Sequence, residues 1–257
     1  MYHKYLKQPL VYLLISFPYW VSGQNNNAWT LGLSATSKQI SEANISSRIF
    51  DAYGVGFSLT KQLKSEYFTQ QFGLYANLNL AKTAIEQSYR SYIAQINLEY
   101  AYLKDLKLSS PSVAIGPFAM IDYRNATYRN FDNTHIYWAN FAGIGIKSKM
   151  EIPLNAIWSI QGSLKLPLIG VGFRPSANRL YSFDDTSVSG ILKSNHTNAR
   201  FSAINNYINP AFVIGLRSNE KGFLHNISYQ FDYLQYDHPK ANRYRDLTHS
   251  LAITINL

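Results

Sequence analysis

The stretch "THSLAITINL", residues 248–257, decides the fold. From Thr248, one parity carries His249, Leu251, Ile253, Ile255 and Leu257; the other carries Thr248, Ser250, Ala252, Thr254 and Asn256. Such a two-residue alternation marks a strand, because successive side chains leave opposite faces of a pleated backbone. A strand that is greasy on one side and small or polar on the other stands between two different media.

The same pattern recurs upstream. Trp29, Leu31, Leu33 and Ala35 alternate with Thr30, Gly32, Ser34 and Thr36, and Tyr53, Val55, Phe57 and Leu59 with Gly54, Gly56, Ser58 and Thr60. Phe72 to Leu80, Tyr92 to Tyr100, Val113 to Tyr123, Ala142 to Ile146, Trp158 to Leu168, Phe212 to Leu216 and Ile227 to Tyr233 follow, which with the last strand makes ten. Short connections lie near Leu63–Glu66, Lys104–Ser110, Glu151–Asn155 and Ser218–Lys221. Long polar ones lie near Ser37–Arg48, Ala81–Ser88, Asn125–His135, Phe173–Asn206 and Asp237–Tyr244.

An even strand number with alternating short turns and long loops is the plan of a closed antiparallel transmembrane β-barrel, apolar parity outward and small or polar parity inward. A soluble β-sandwich also alternates, but it does not call for Tyr, Phe, Ile and Leu on one face of every strand. Tyr53, Tyr67, Tyr89, Tyr100, Tyr102, Tyr123, Tyr137, Trp138, Trp158, Tyr233 and Tyr236 sit near strand ends, where interfacial aromatic girdles belong. In a barrel the last strand pairs with the first, which removes both sheet edges. The long Phe173–Asn206 connection leaves room for an extra hairpin, and so for twelve strands, or for a segment folded into the mouth.

Composition agrees. The chain has 20 tyrosines, no cysteine and only 15% charged residues, less charge than a soluble surface carries. Lys4 and Lys7 precede the apolar "PLVYLLISFPYWVSG", which predicts a secretory signal over residues 1–23 and a mature barrel over 24–257. Removing Lys4 and Lys7 takes the formal charge from +9 to +7. Without cysteine there is neither a disulfide framework nor a site for a lipoprotein acyl anchor.

On these strands the chain resembles the outer-membrane β-barrel proteins of Gram-negative bacteria. The Asn- and Tyr-rich composition and "LKLPLIGVGFRP" look like small barrels of Bacteroidetes-type bacteria. The resemblance implies an outer-membrane location and recognition of Thr248–Leu257 by the barrel-insertion machinery. That family most often ends on an aromatic residue; here Leu257 stands in that place.

Charge placement suggests partners. With the N-terminus periplasmic, Arg48, Arg90, Arg124, Arg129, Arg174, Arg179, Arg200, Arg243 and Arg245 fall at the outer side, while lysines dominate the periplasmic side. Arginine's planar fork suits phosphate, so Arg124, Arg129, Arg174, Arg179, Arg243 and Arg245 are candidate contacts to lipopolysaccharide, with solvated loop charge as the alternative. An envelope protein is a second candidate partner for the long loops. Basic residues divided between two membrane faces argue against nucleic acid.

The lumen parity holds Glu99, Asp122, Lys147, Lys165, Arg217 and Asp232, which can either pair into a plug or line a narrow wet path. A surface hydrolase is the competing class. Omptin proteases look somewhat similar, with ten strands and a paired-Asp site facing an Asp–His pair. The corresponding residues here would be Asp184, Asp185, Asp237 and His238, but that family separates both pairs by one residue and here they are adjacent. Neighbours on a strand face opposite ways. The segment "SNHTNARFS", with His196 and Ser202, faintly resembles lipid-hydrolysing barrels, without their order or spacing. No metal-ligand spacing and no phosphate-binding glycine loop is present, so no cofactor is expected. The function expected is a narrow pore or a docking scaffold.

Overall fold

The computed structural model describes residues 27–43, 49–83, 91–106, 110–128, 135–175, 190, 193, 196, 198–218, 224–239, 241 and 243–257. The expected signal, residues 1–23, lies outside them. The strand segments are β1 (Asn27–Glu42), β2 (Ile49–Lys64), β3 (Phe68–Thr83), β4 (Ser91–Leu106), β5 (Ser112–Tyr128), β6 (His135–Trp138) and β7 (Asn140–Pro153). They continue with β8 (Trp158–Phe173), β9 (Arg200–Ala203), β10 (Tyr207–Ile208), β11 (Ala211–Ser218), β12 (Leu224–Tyr236) and β13 (Tyr244–Asn256).

These segments form one antiparallel ring. β13 returns to β1 in a register running from Thr30↔Asn256 to Glu42↔Tyr244. β6 runs on into β7, and β9, β10 and β11 succeed one another, so the wall has ten staves. Closure gives the strand backbones partners all round, which a bilayer demands of any spanning structure.

The alternation acts as the sequence predicts. Every stave turns a large aliphatic side chain outward: Leu33, Val55, Leu78, Ile96, Ile121, Ile144, Leu164, Ile214, Ile227 and Leu251 are all exposed, Leu33 at 66% and Leu251 at 59%. The short connections lie at the end that carries Asn27 and Leu257; the long ones lie at the other end, called here the loop end.

Two staves depart from the expectation. β8 carries a bulge: Ile144 faces Ile169 but Gly145 faces Pro167, leaving Leu168 extra. Proline has no N–H for the ladder, and bulges are where sheets accommodate it. The following stave begins earlier than Phe212. Ala203 faces Ile169 and Ala211 faces Lys165, so eight steps along this chain cover four on β8. The surplus forms a turn at Ile204–Asn206, after which Tyr207 and Ile208 pair with Tyr236 and Gln235. The excursion breaks the alternation, which is why the sequence reads as one long loop. It adds no extra hairpin to the wall.

The inside divides into two halves. Toward the loop end every stave contributes inward side chains that are buried; the apolar ones among them are Ile40, Phe50, Ala52, Ala81, Ile93, Ala126, Phe141, Tyr207, Leu234, Tyr236 and Tyr244. The sequence places Tyr137, Trp138 and Tyr236 in an interfacial girdle, but they are 5%, 1% and 0% exposed. They belong to this packed layer, whereas Tyr53, Tyr67 and Tyr102 are exposed on the outside.

Candidate functional site

The polar centre of the barrel is Arg124. Its position on β5 shares the inward parity of Asp122, two residues before it. Nε donates to Asp122 Oδ2 at 2.7 Å, Nη2 to Asp232 Oδ1 at 3.0 Å and Nη1 to Asp246 Oδ2 at 2.9 Å. The guanidinium thus joins β5, β12 and β13, using its fork on three carboxylates at once. Lys38 of β1 reaches Asp246 at 3.4 Å and donates to Gln95 Oε1 at 2.8 Å. Gln95 of β4 donates in turn to Asp122 Oδ1 at 3.0 Å, and Thr248 to Asp246 Oδ1 at 2.8 Å. Asn77 on β3 also donates to Gln95, at 3.0 Å. Buried charge is tolerable only when paired and hydrogen-bonded, and this network meets that demand from six staves.

A second clamp lies nearer the loop end. Arg174, fully buried just beyond β8, donates from Nη1 and Nη2 to the two oxygens of Glu42, both at 2.8 Å, and from Nη1 to the Trp138 carbonyl at 3.1 Å. Its own carbonyl accepts from Asn198 Nδ2 at 3.1 Å. Asn198 sits at φ 56°, a left-handed backbone that asparagine tolerates, and its carbonyl meets His238 Nε2 at 3.1 Å. Between the two charged layers, Phe141 and Tyr207 stack at 3.8 Å. Charge, apolar packing and charge again close the lumen from wall to wall.

Toward the termini the interior changes character. Glu99 of β4 receives Lys147 of β7 and, at 3.1 Å, Lys165 of β8. Lys147 also reaches Gln71 at 3.4 Å. Nearer the rim, Glu151 accepts from Ser159 at 2.8 Å and Arg217 at 3.2 Å, with both ion-pair side chains about one-third exposed (34% and 33%). The facing wall carries mostly small side chains over the same height, among them Ser34 and Ser58 of β1 and β2 and Ser250 and Ala252 of β13, while β12 adds the larger Gln230 and Asn226. These are partly solvent-accessible although they point inward.

The six expected lumen residues, Glu99, Asp122, Lys147, Lys165, Arg217 and Asp232, fall into these two clusters. Asp122 and Asp232 join the upper, and the other four the lower. The outer arginines divide. Arg124 and Arg174 do not face lipid phosphate: they are 2% and 0% exposed and bind carboxylates inside the ring. For Arg124 the reason is parity with Asp122; for Arg174 it is the β8 bulge, which puts it in phase with the inward Gly170 and Gly172. Arg243 and Arg245 are exposed at the loop end; Arg243 pairs with Asp237, which holds its guanidinium pKa above the usual value, and Arg245 donates to Gln235 at 3.2 Å. Arg129, Arg179, Asp184 and Asp185 lie outside the described residues.

The hydrolase constellations do not assemble among the described residues. Asp237 directs its carboxylate to Arg243 and, at 3.0 Å, Gln235, while His238 Nε2 faces the Asn198 carbonyl. His196 lies on the outer wall, 2.9 Å from the Tyr123 hydroxyl and edge-on to Phe173. Ser202 points inward and donates to the Tyr236 hydroxyl at 3.4 Å. Lys38, Glu42, Asp246, Lys149 and Glu151 complete the interior and are not among the sequence's candidates. The signal that marks them is their inward parity at the ends of β1, β7 and β13.

No protein-family model matches the chain, and no curated protein matches it. Among solved structures it is similar to Neisserial surface protein A, with TM-score 0.36 and 9% identity, covering 91% of this chain and 100% of that chain. An outer membrane channel from Pseudomonas putida F1 gives TM-score 0.37 and 8% identity over 91% of this chain and 97% of that one. Ail, the attachment invasion locus protein of Yersinia pestis, gives 0.30 and 11% over 91% and 100%. At these scores the likenesses assign no activity; the barrel architecture rests on the chain's own strand pairing, from the β1–β2 ladder to the β13–β1 closure.

Proposed function

We propose that this chain is an integral outer-membrane β-barrel that works as a non-enzymatic docking scaffold, not as a through-pore. The carrying observation is the packed loop-end half: among the described residues most inward side chains there are buried, around Arg124 and beneath Arg174, with Arg200 exposed at the rim. An apolar exterior around a paired polar interior supports membrane residence. The filled upper lumen supports a plug over a path for solute. The exposed guanidiniums Arg200, Arg243 and Arg245 at the loop end leave lipopolysaccharide phosphate or an acidic envelope protein as the surface to be met.

The test is reconstitution of the purified chain in planar bilayers after recovery from the outer-membrane fraction. The scaffold reading expects a silent membrane. Reproducible unitary current steps would overturn it in favour of the pore. Co-purified lipopolysaccharide that persists after Arg243 and Arg245 are both changed to lysine would remove the phosphate-gripping role.

A further inference from the structure

The lower half of the lumen is a different object from the plug. Its β3–β4–β5–β7 side is packed: Thr69, Gln71, Ala101, Leu103, Phe118 and Lys147 are all buried. On its opposite side Ser34, Ser58, Thr60, Ser250, Ala252 and Thr254 keep accessible surface while facing inward. Small side chains on one wall and full-sized ones on the other leave an off-centre hollow. The plug ends it above, and it opens at the end carrying the termini, where Lys64 and Asn256 are exposed.

The charges in this hollow do not balance. Four cations, Lys147, Lys149, Lys165 and Arg217, face Glu99 and Glu151, with Asp232 of the upper cluster also in the electrostatic range of Lys165. Lys147 and Lys165 share Glu99, and Glu151 is held by Arg217 and Ser159. Lys149, inward on β7 between the two pairs, has neither a hydrogen bond nor a salt bridge among the described residues, although Glu99, Lys147, Arg217 and Glu151 lie in its electrostatic range. Lys149 is therefore left without a paired carboxylate in a confined, partly dehydrated space. There a charge is worth more than on an open surface, and its bare ammonium seeks an acceptor. The small wall adds hydroxyl donors from Ser34, Ser58 and Ser250. Lysine binds phosphate as a point charge, and hydroxyls complete such a shell.

We infer that the barrel holds a blind vestibule, open only at the end bearing the termini, that binds a small dianion of the phosphate class at Lys149, Lys165 and the facing serines. The site stands on interior geometry alone. That its ligand arrives from the periplasm rests on the outer-membrane reading given above.

The experiment uses the full barrel folded in detergent micelles, with inorganic phosphate as the probe, titrated calorimetrically at fixed ionic strength against a chloride blank. Saturable one-to-one binding is expected. Lys149→Gln breaks no ion pair, and it should weaken binding at least about ten-fold, the worth of one charge-assisted hydrogen bond. Ala252→Phe adds bulk to the small wall without changing charge and should abolish binding. Lys104→Gln, exposed on the outer face of β4, should leave it unchanged. Phosphate heat no different from chloride, or affinity equal in the parent, Lys149→Gln and Ala252→Phe proteins, would overturn the site.

The chain has no cysteine, so single thiols report access cleanly. Ser34→Cys in the hollow should react with a charged maleimide and be shielded by phosphate, while Ala52→Cys in the plug should stay inert. Equal reactivity at both positions would overturn the blind vestibule. If both arms succeed but the protein is absent from the outer-membrane fraction, the site stands and only the membrane assignment falls.

Discussion

Arg124→Ala is the most informative single change. The parent side chain makes three ion pairs, at 2.7, 3.0 and 2.9 Å, from a position 2% exposed. With Lys38 it sets two cations against three carboxylates. Without it, Lys38 at 3.4 Å from Asp246 is the cluster's remaining ion-pair donor, and Asp122 and Asp232 lose their cationic partner. Removing one partner of a buried pair costs about 3–5 kcal/mol. Three carboxylates sharing one guanidinium put the loss at the upper end, roughly a thousand-fold or more in the folding equilibrium.

Urea unfolding of the protein in lipid vesicles, followed by tryptophan fluorescence, reads this directly. Arg124→Lys should fall between parent and alanine variant, because an ammonium cannot span three directions as the planar fork does. Adding Asp232→Asn to Arg124→Ala should recover part of the loss, since it removes one uncompensated charge; the double-mutant cycle isolates that coupling. An Arg124→Ala protein within about 1 kcal/mol of the parent, a range typical of surface changes, would refute the reasoning. The interior network would then be decoration and not the keystone of the wall.

Other outcomes follow from the same geometry. Leu33→Arg places charge on the hydrocarbon face of β1 and should cost about 2–4 kcal/mol in vesicle unfolding; no loss would mean that this face does not meet lipid. A Cβ at Gly172 would clash with the Tyr236 hydroxyl, and that ring is held by Tyr207 and His238. Gly172→Ala should therefore destabilise by about 1–3 kcal/mol, seen as a lower midpoint in the same unfolding assay. On the outer surface the Tyr229 hydroxyl and His249 Nδ1 meet at 2.6 Å. Tyr229→Phe should cost about 1–2 kcal/mol in vesicles by leaving an imidazole nitrogen unsatisfied in lipid, and less in detergent, where water reaches the ring.

Much of the fold is legible in the sequence because one physical demand repeats on every stave. Lipid outside forces Leu33, Val55 and Leu251 to one parity, and period two carries the rest with them. What the pattern hides is the loop-end interior. A lumen is expected to be polar, yet Ile40, Phe50 and Tyr236 face inward there because they form the plug. The strand ends consequently look like girdles or loops. The candidate site is legible in kind but not in grouping. Glu99, Lys147 and Lys165 come from three staves, and only the stagger of the ring decides that they meet. Arg124 is the instructive miss: proximity to a loop suggests the outer surface, whereas its parity with Asp122 already assigns it to the inside. The excursion before Tyr207 is invisible for a plainer reason, since "INNYINP" has the composition of a turn and half of it is one.

The seam between β1 and β13 has a consequence for how the molecule is put together. Toward the termini its inward partners are Gly32 with Thr254, Ser34 with Ala252 and Thr36 with Ser250; toward the loop end they are Lys38 with Thr248, Ile40 with Asp246 and Glu42 with Tyr244. Only the stretch nearer the termini carries small side chains alone, so there no bulky group has to be threaded past another when the two margins meet. That stretch, joined almost wholly by backbone hydrogen bonds, can zip shut after the loop-end half has packed. The same join is the natural place for a folding catalyst to hold the sheet ajar.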